Sequence, residues 1–326
     1  MTVLPVAIAA TGIYRPRTTI ASTDIDATHA WPHGRSERLT GIASRAVAAD
    51  DECASMMASE AVRAALAGDT SGPLDRLVVA SIMSEQPIPT TAALAARRLG
   101  LDRIAAYDIN ASCLGFLQAV EGAAAAITLG ASTRAAVAAV DIASLGLDRE
   151  DPATAPLFGD GAAAAVLQRS DGASAILAIR LETHPDGADL CEIPAGGSRW
   201  NPRRPPPSES DYLFRMNGAA LARLAMERLP DFISRVLDEA GVRLGDIACV
   251  MPHQASRLGL RFLERLLGDH GAAMVDILAD HGNQVSASLP TTLHHAIESG
   301  RLHRGDLGLM LGTAAGFGMG AMVFKY

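Results

Sequence analysis

The chain has 326 residues and a formal net charge of −8, a balance that argues against a nucleic-acid surface. No apolar run is long enough to span a bilayer without a break. Hydrophobic residues make up 49% of the chain but aromatics only 4%, so the core must be built largely from Ala, Leu, Val and Ile, in tightly packed layers of helix and sheet.

Val3 to Thr11 reads as a strand, Tyr14-Arg-Pro-Arg as a loop, and Ile20 to Ile42, with Pro32 and Gly34, as polar and irregular. Asp51 to Ala67 is an amphipathic helix and Leu77 to Ile82 a buried strand. Pro87 to Pro89 makes a loop before a short helix, Thr90 to Leu99. Ile104 to Ile109 is a short buried strand, and the Ala- and Leu-rich stretch Leu114 to Leu129 a helix. Arg134 to Val140 is a further strand. A loop to Pro156 and the turn Phe158-Gly-Asp-Gly lead into the strand Ala162 to Gln168.

Ala175 to Thr183 opens the second half as a strand, followed by a Pro- and Arg-rich loop, Gly196 to Ser210. Leu213 to Ala240 is long and helical, interrupted near Pro230. Ile247 to Met251 is a buried strand ending in Pro252-His253-Gln254. Leu258 to Leu267 and Ser288 to Ser299 are helices; Leu307 to Leu311 is a strand, then a Gly-rich turn and the apolar Ala321 to Tyr326. In both halves a strand leads to a Gly-rich turn and a second apolar strand. This suggests a duplicated α/β unit, divided as residues 1–170 and 171–326, with a mostly parallel sheet in each half. Sites in such sheets lie at the carboxyl ends of strands. Cys113 and His253 each follow a short apolar strand, one in each half.

Of Cys53, Cys113, Cys191 and Cys249, no pair has C-x-x-C spacing, so zinc and redox motifs are not supported. With no signal segment at the N-terminus, a soluble protein in a reducing cytoplasm is the simplest expectation. Cys113 stands at a strand-to-helix junction. A sharp turn there would hold its sulfur at the helix N-terminus, where the dipole favours thiolate, the nucleophilic form. Gly115 would keep the first turn open to substrate. The alternative is a small buried core thiol. Pro252 fixes the backbone before His253, which would face a cleft or else serve as a structural histidine. In His281-Gly-Asn-Gln-Val-Ser-Ala-Ser-Leu-Pro, Gly282 allows a tight turn, and Asn283 presents an amide donor or acts as a turn residue. Ser288 is placed to cap the next helix, with Pro290 in its first turn. Arg199, Arg203 and Arg204 form a basic patch for an acidic partner, or a solvated loop.

The stretches Ala-Ser-Cys113-Leu-Gly-Phe, Pro-His253-Gln-Ala and His-Gly-Asn283-x-x-Ser-Ala-Ser resemble the Cys-His-Asn triad of the β-ketoacyl-acyl-carrier-protein synthase III family, in the thiolase superfamily. The resemblance extends to Thr40-Gly-Ile-x-x-Arg45, Phe158-Gly-Asp-Gly-Ala and Gly316-Phe-Gly-x-Gly. It implies a five-layered αβαβα fold, a homodimer, and no metal or redox cofactor. It further implies that Cys113 takes an acyl group from acyl-carrier protein or acyl-CoA, with the N–H groups of Cys113 and Ala315 as oxyanion hole. A malonyl thioester then loses CO₂ while His253 Nε2 and the Asn283 amide stabilise the enolate, and the carbanion attacks the acyl-Cys. Asn at 283 matches this branch rather than the chain-elongating one. Phe158, Met216, Gly218, Ser256 and Phe317 are implied to line the substrate site, and Ile88 to reach it from the partner subunit.

Several positions depart from the family. Arg35 and Leu39 stand where a Trp and an Arg grip the adenine of coenzyme A, and an Arg expected before Phe158 is replaced near Pro152. Ser256 replaces an Asn, Ala314-Ala315-Gly316 a Gly-Gly-Gly, and Ile88 an aromatic residue. Together they point to a specialised relative that takes its acyl group from a carrier protein or an unusual CoA ester. Met83, Met216 and Met319 could make its pocket adaptable, or simply fill core. One alternative is transfer of the Cys-bound acyl group to an alcohol or amine without decarboxylation. Another is a non-catalytic partner subunit of a ketosynthase, against which Cys113 argues.

Overall fold

The computed structural model describes residues 3–67 and 71–326. The first half contains β1 (Val6–Tyr14), β2 (Thr18–Ala21), α1 (Ser22–Thr28), α2 (Arg35–Thr40), β3 (Ser44–Val47), α3 (Ala54–Leu66), β4 (Arg76–Ala80), α4 (Thr91–Leu99), β5 (Ala105–Ile109), α5 (Gly115–Thr128), β6 (Arg134–Asp141) and β7 (Gly161–Arg169). After it come β8 (Ala175–Thr183), β9 (Cys191–Glu192), β10 (Arg215–Met216), α6 (Gly218–Ala240), β11 (Cys249–Pro252), α7 (Arg257–Leu267), α8 (Leu278–His281), α9 (Ser288–Glu298), β12 (Leu307–Ala314) and β13 (Gly318–Lys325).

Two large sheets dominate. The first has the order β1-β7-β6-β4-β5, the second β11-β12-β13-β8. Alternation along each strand sorts the side chains. Leu77 and Val79 of β4 pack outward with Met57 and Ala61 of α3 and Ala92 and Ala95 of α4. Val78 and Ala80 point inward, to a core shared with Phe116 and Val120 of α5, Leu289 and Leu293 of α9, and Met310, Met322 and Phe324 of the second sheet. On the far side of the second sheet, Leu309, Leu311 and Val323 meet Phe232 and Val236 of α6 and Leu263 of α7. Helices α5 and α9 therefore lie between the sheets, α3 and α4 cover one outer face, and α6 and α7 the other. These are the five layers expected. Strand β6 is buried along its whole length, which explains the unbroken apolar run from Ala135 to Val140.

Mostly parallel sheets are not what forms. β4 pairs parallel with β5 and β6, but β7 runs antiparallel to both β6 and β1. In the second sheet only β11 and β12 are parallel; β12–β13 and β13–β8 are antiparallel. The cause is connectivity. A parallel neighbour needs a crossover, normally a helix, and no α-helix intervenes between β6 and β7 or between β12 and β13. The two sheets nevertheless repeat one pattern of sense, and the counterpart of β5 is the single parallel bridge Val250–Met274.

Two local expectations also fail. Residues 20–42 are not irregular: they hold α1 and α2, seven and six residues long, too short to show a helical period. Helix α6 starts only at Gly218, because Arg215 and Met216 pair with β9, and it runs unbroken through Pro230. The carbonyl four residues earlier, at exposed Met226, gives up its helical partner where water is at hand. Among the described residues no helix is long and apolar enough to cross a membrane.

Candidate active site

The carboxyl ends of β5 and β11 meet at one cavity of about 910 Å³. Between β5 and α5 the chain turns sharply. Asn110 Oδ1 accepts the Ser112 N–H at 3.1 Å, Ser112 adopts φ +51°, and the N–H groups of Leu114 and Gly115 close back on Ala111 and Ser112. Cys113 is thus presented two residues before the helix, half-buried at the cavity wall. Gly115 has a different role from the one expected. A side chain there would press on Ala80 and Ser286, so its absence permits close packing of α5 rather than access for substrate.

Removal of water around the sulfur pushes the Cys113 thiol up to about 12. Cys191 and Asp141 add to the shift, and the N–H groups of Ala315 and Cys113 oppose it by hydrogen bonding. The expected thiolate is therefore not favoured: the helix N-terminus does not outweigh burial. The Ala315 N–H thus points at the sulfur.

His253 follows β11. Its N–H donates to Leu311 O at 2.8 Å, and the residue is 6% exposed with Nδ1 buried and unpartnered. The loop is locked by Gln254, fully buried, whose amide spans Pro252 O, Val275 O and the Ile277 N–H. Ser288 does not cap α9 as expected; its hydroxyl accepts the Gln254 N–H at 2.8 Å. Gln254 and Ser288 were legible only as motif neighbours, since their partners lie far along the chain.

Asn283 is oriented by its surroundings. Its Oδ1 accepts the Val285 N–H at 2.9 Å, so Nδ2 faces the Ala255 carbonyl at 3.3 Å and the cavity. The residue shapes its own turn through Oδ1, and its amide nitrogen donates to the Ala255 carbonyl. Its backbone pairs with the Phe158 strand end: Asn283 N–H with Leu157 O and Gly159 N–H with Asn283 O, both at 3.0 Å. That approach needs two glycines. Gly282 has φ +66°, and a Cβ on Gly159 would stand 2.1 Å from His281 O. Gly159→Ala is expected to cost about 3 kcal/mol, because neither backbone can yield, and a thermal melt of the variant checks it.

Phe158, Met216, Gly218, Ser256, Ala315 and Phe317 all line the same cavity as Cys113, His253 and Asn283. Phe158 meets Phe214 edge-on, and Ser256 caps α7 by accepting the Gly259 N–H. Arg35, Leu39 and Pro152, the departures noted in the sequence, line it too. Ile88 does not: it is 84% exposed and away from the cavity of its own chain. Met83 lines the cavity, but Met319 is core on the outer face of the second sheet. Arg199 and Arg204 stack on Trp200 in the exposed loop between β9 and β10, outside the cavity lining. Ser112, Val285 and Phe317, three non-glycine residues with positive φ, all lie on the cavity wall, where strain of this kind gathers at functional sites.

Burial holds His253 down at about 4, below the ~6.5 of a free imidazole. Between those values the unfolded chain binds a proton that the folded chain refuses. Stability therefore rises with pH through this window and is lost as pH falls. His281, also held at about 4, acts in the same sense; Asp141, raised to about 6, acts against them. Urea unfolding is expected to weaken by about 1.4 kcal/mol per pH unit from His253 alone as pH drops below about 6.5.

Residues 107–185 match the 3-oxoacyl-[acyl-carrier-protein] synthase III family, and residues 237–326 match its C-terminal domain. A β-ketoacyl-[acyl-carrier-protein] synthase III of Desulfitobacterium hafniense is 34% identical over 328 residues, 98% of each chain. One of Erythrobacter litoralis is 35% identical over 331 residues, 98% of this chain and 99% of its own. The crystal structure of the Aquifex aeolicus 3-oxoacyl-[acyl-carrier-protein] synthase III superposes with a TM-score of 0.89 at 30% identity, covering 98% of this chain and 100% of that one. The priming β-ketosynthase of the R1128 polyketide pathway superposes at 0.88 with 28% identity, covering 98% and 96%. Full-length similarity at this level, on the fold just described, makes the chain a member of the β-ketoacyl-acyl-carrier-protein synthase III family.

Proposed function

We propose that this enzyme transfers an acyl group to Cys113 and condenses it with a malonyl thioester, releasing CO₂ and a β-ketoacyl thioester. The observation that carries the reading is the convergence of Cys113, His253 and Asn283 on one cavity, with the Asn283 amide fixed so that its nitrogen is the donor. In the first step the Cys113 sulfur attacks the thioester carbonyl, and the thiol proton ends on the departing carrier thiol. The high thiol pKa means that this proton must be moved during attack; His253, kept neutral by burial and lining the same cavity, is read as the base. The N–H groups of Cys113 and Ala315 hold the oxyanion.

In the second step the malonyl thioester carbonyl sits between His253 Nε2 and Asn283 Nδ2. Loss of CO₂ leaves its electron pair in the enolate, whose charge these donors stabilise. The carbanion then forms a C–C bond to the acyl carbon and expels the Cys113 sulfur, which takes up a proton from water to restore the thiol. Phe158, Met216, Gly218, Ser256 and Phe317 contact the substrates. Arg35 and Leu39 at the mouth support a donor other than acetyl-CoA, either an acyl-carrier protein or an unusual CoA ester. The exposed Ile88 is read as reaching the cavity of a second subunit, so the working form is a homodimer, in a cytoplasmic setting. The halves 1–170 and 171–326 then supply the nucleophile and the two enolate donors respectively.

Intact-protein mass spectrometry tests this. The protein is incubated with a panel of acyl-CoA and acyl-carrier-protein thioesters, then with malonyl-carrier protein. An adduct on Cys113 that is discharged with CO₂ and a β-keto product supports condensation. An adduct that ignores malonyl thioester replaces condensation with transfer to another acceptor. No adduct from any donor removes the nucleophile.

A further inference from the structure

Asp141 ends β6 at the carboxyl edge of the first sheet and is 1% exposed. The steps above do not use it. Four donors meet its carboxylate. Oδ1 accepts the Ile82 N–H at 2.8 Å and the Ser81 hydroxyl at 3.1 Å. Oδ2 accepts the Ser286 N–H at 2.8 Å and the Ser286 hydroxyl.

These donors lead to both working loops. The Ile82 carbonyl accepts Asn110 Nδ2 at 3.1 Å, and Asn110 Oδ1 accepts the N–H of Ser112, the left-handed residue before Cys113. Ser286 closes the turn in which Asn283 Oδ1 accepts the Val285 N–H. One carboxylate thus holds the nucleophile's turn and the Asn283 turn, on segments that lie far apart in the chain. Burying a carboxylate is costly, and burial indeed raises this one to about 6. Apolar residues could fill the same space, but charge-assisted hydrogen bonds add fixed direction and length.

We propose that Asp141 is a positioning residue, setting the geometry between the Cys113 thiol and the Asn283 amide. The inference rests on the roles assigned to those two residues under the proposed function. Asp141→Asn keeps one accepting oxygen and turns an NH₂ group toward either the Ile82 or the Ser286 N–H, neither of which can accept. Its kcat for condensation, per folded enzyme, is expected to fall about tenfold or more, with the KM for the acyl donor little changed. Asp75→Asn is the comparison. Asp75 accepts the Thr133 N–H and hydroxyl, each at 2.6 Å, at the opposite end of the same sheet. That variant is expected to melt earlier and keep its kcat.

A parent-like kcat in Asp141→Asn overturns the inference, and so does an equal kcat loss in Asp75→Asn. If Asp141→Asn does not fold, Ser286→Ala carries the test: slower malonyl decarboxylation at unchanged Cys113 acylation supports the role, and unchanged decarboxylation sinks it. A parent enzyme that forms no β-keto product fails the proposed function itself, which separates the two outcomes.

Discussion

Cys113→Ala is expected to abolish the acyl adduct and to lower condensation on the order of 10⁴-fold or more, the scale of losing a covalent nucleophile. The fold should survive. The side chain is half-buried at a cavity wall, and the Ala315 N–H that loses the sulfur belongs to a residue of the same cavity wall. Cys53→Ala serves as the control, since Cys53 lies at the start of α3 and outside the cavity. Mass spectrometry of the two variants after acyl-donor treatment decides the matter. An adduct that persists in Cys113→Ala would move the nucleophile elsewhere, with Cys191 on the same cavity wall the first place to look.

Asn283→Ala is expected to separate the two half-reactions. Acylation of Cys113 should proceed, because the oxyanion donors there are the N–H groups of Cys113 and Ala315. Decarboxylation of the malonyl thioester should slow by roughly 10²–10³, the usual effect of removing one donor to a developing oxyanion. Asn283→Asp should be at least as slow. Its carboxylate keeps the contact to the Val285 N–H but places negative charge where the enolate charge develops. Stopped-flow release of CO₂, measured beside adduct formation, reads both steps. Equal loss in both would mean that Asn283 holds the cavity together rather than the enolate.

Much of this was legible beforehand because it rests on local chemistry. The helices α3, α4 and α5 and the strands β4 to β8 fall within a few residues of where periodicity puts them, since each has a strong apolar pattern. The three chemical residues were legible as motifs: a cysteine after a strand, a histidine fixed by Pro252, an asparagine after Gly282. Long-range partners were not legible. Gln254, Ser288 and Asp141 act through groups tens to more than a hundred positions away, and nothing adjacent in sequence marks them.

The sequence by itself determined most of the strands and helices and the three motif residues proposed to carry the chemistry, because these follow from side-chain type and spacing; the five layers followed from the family resemblance. Only the tertiary structure decided the sense of strand pairing, because that depends on how each connection returns. It alone decided the protonation of the site, because water around the Cys113 sulfur and the His253 ring is removed by segments from both halves of the chain. It also decided which way the Asn283 amide points, because one backbone N–H, that of Val285, selects the oxygen and leaves the nitrogen facing the cavity.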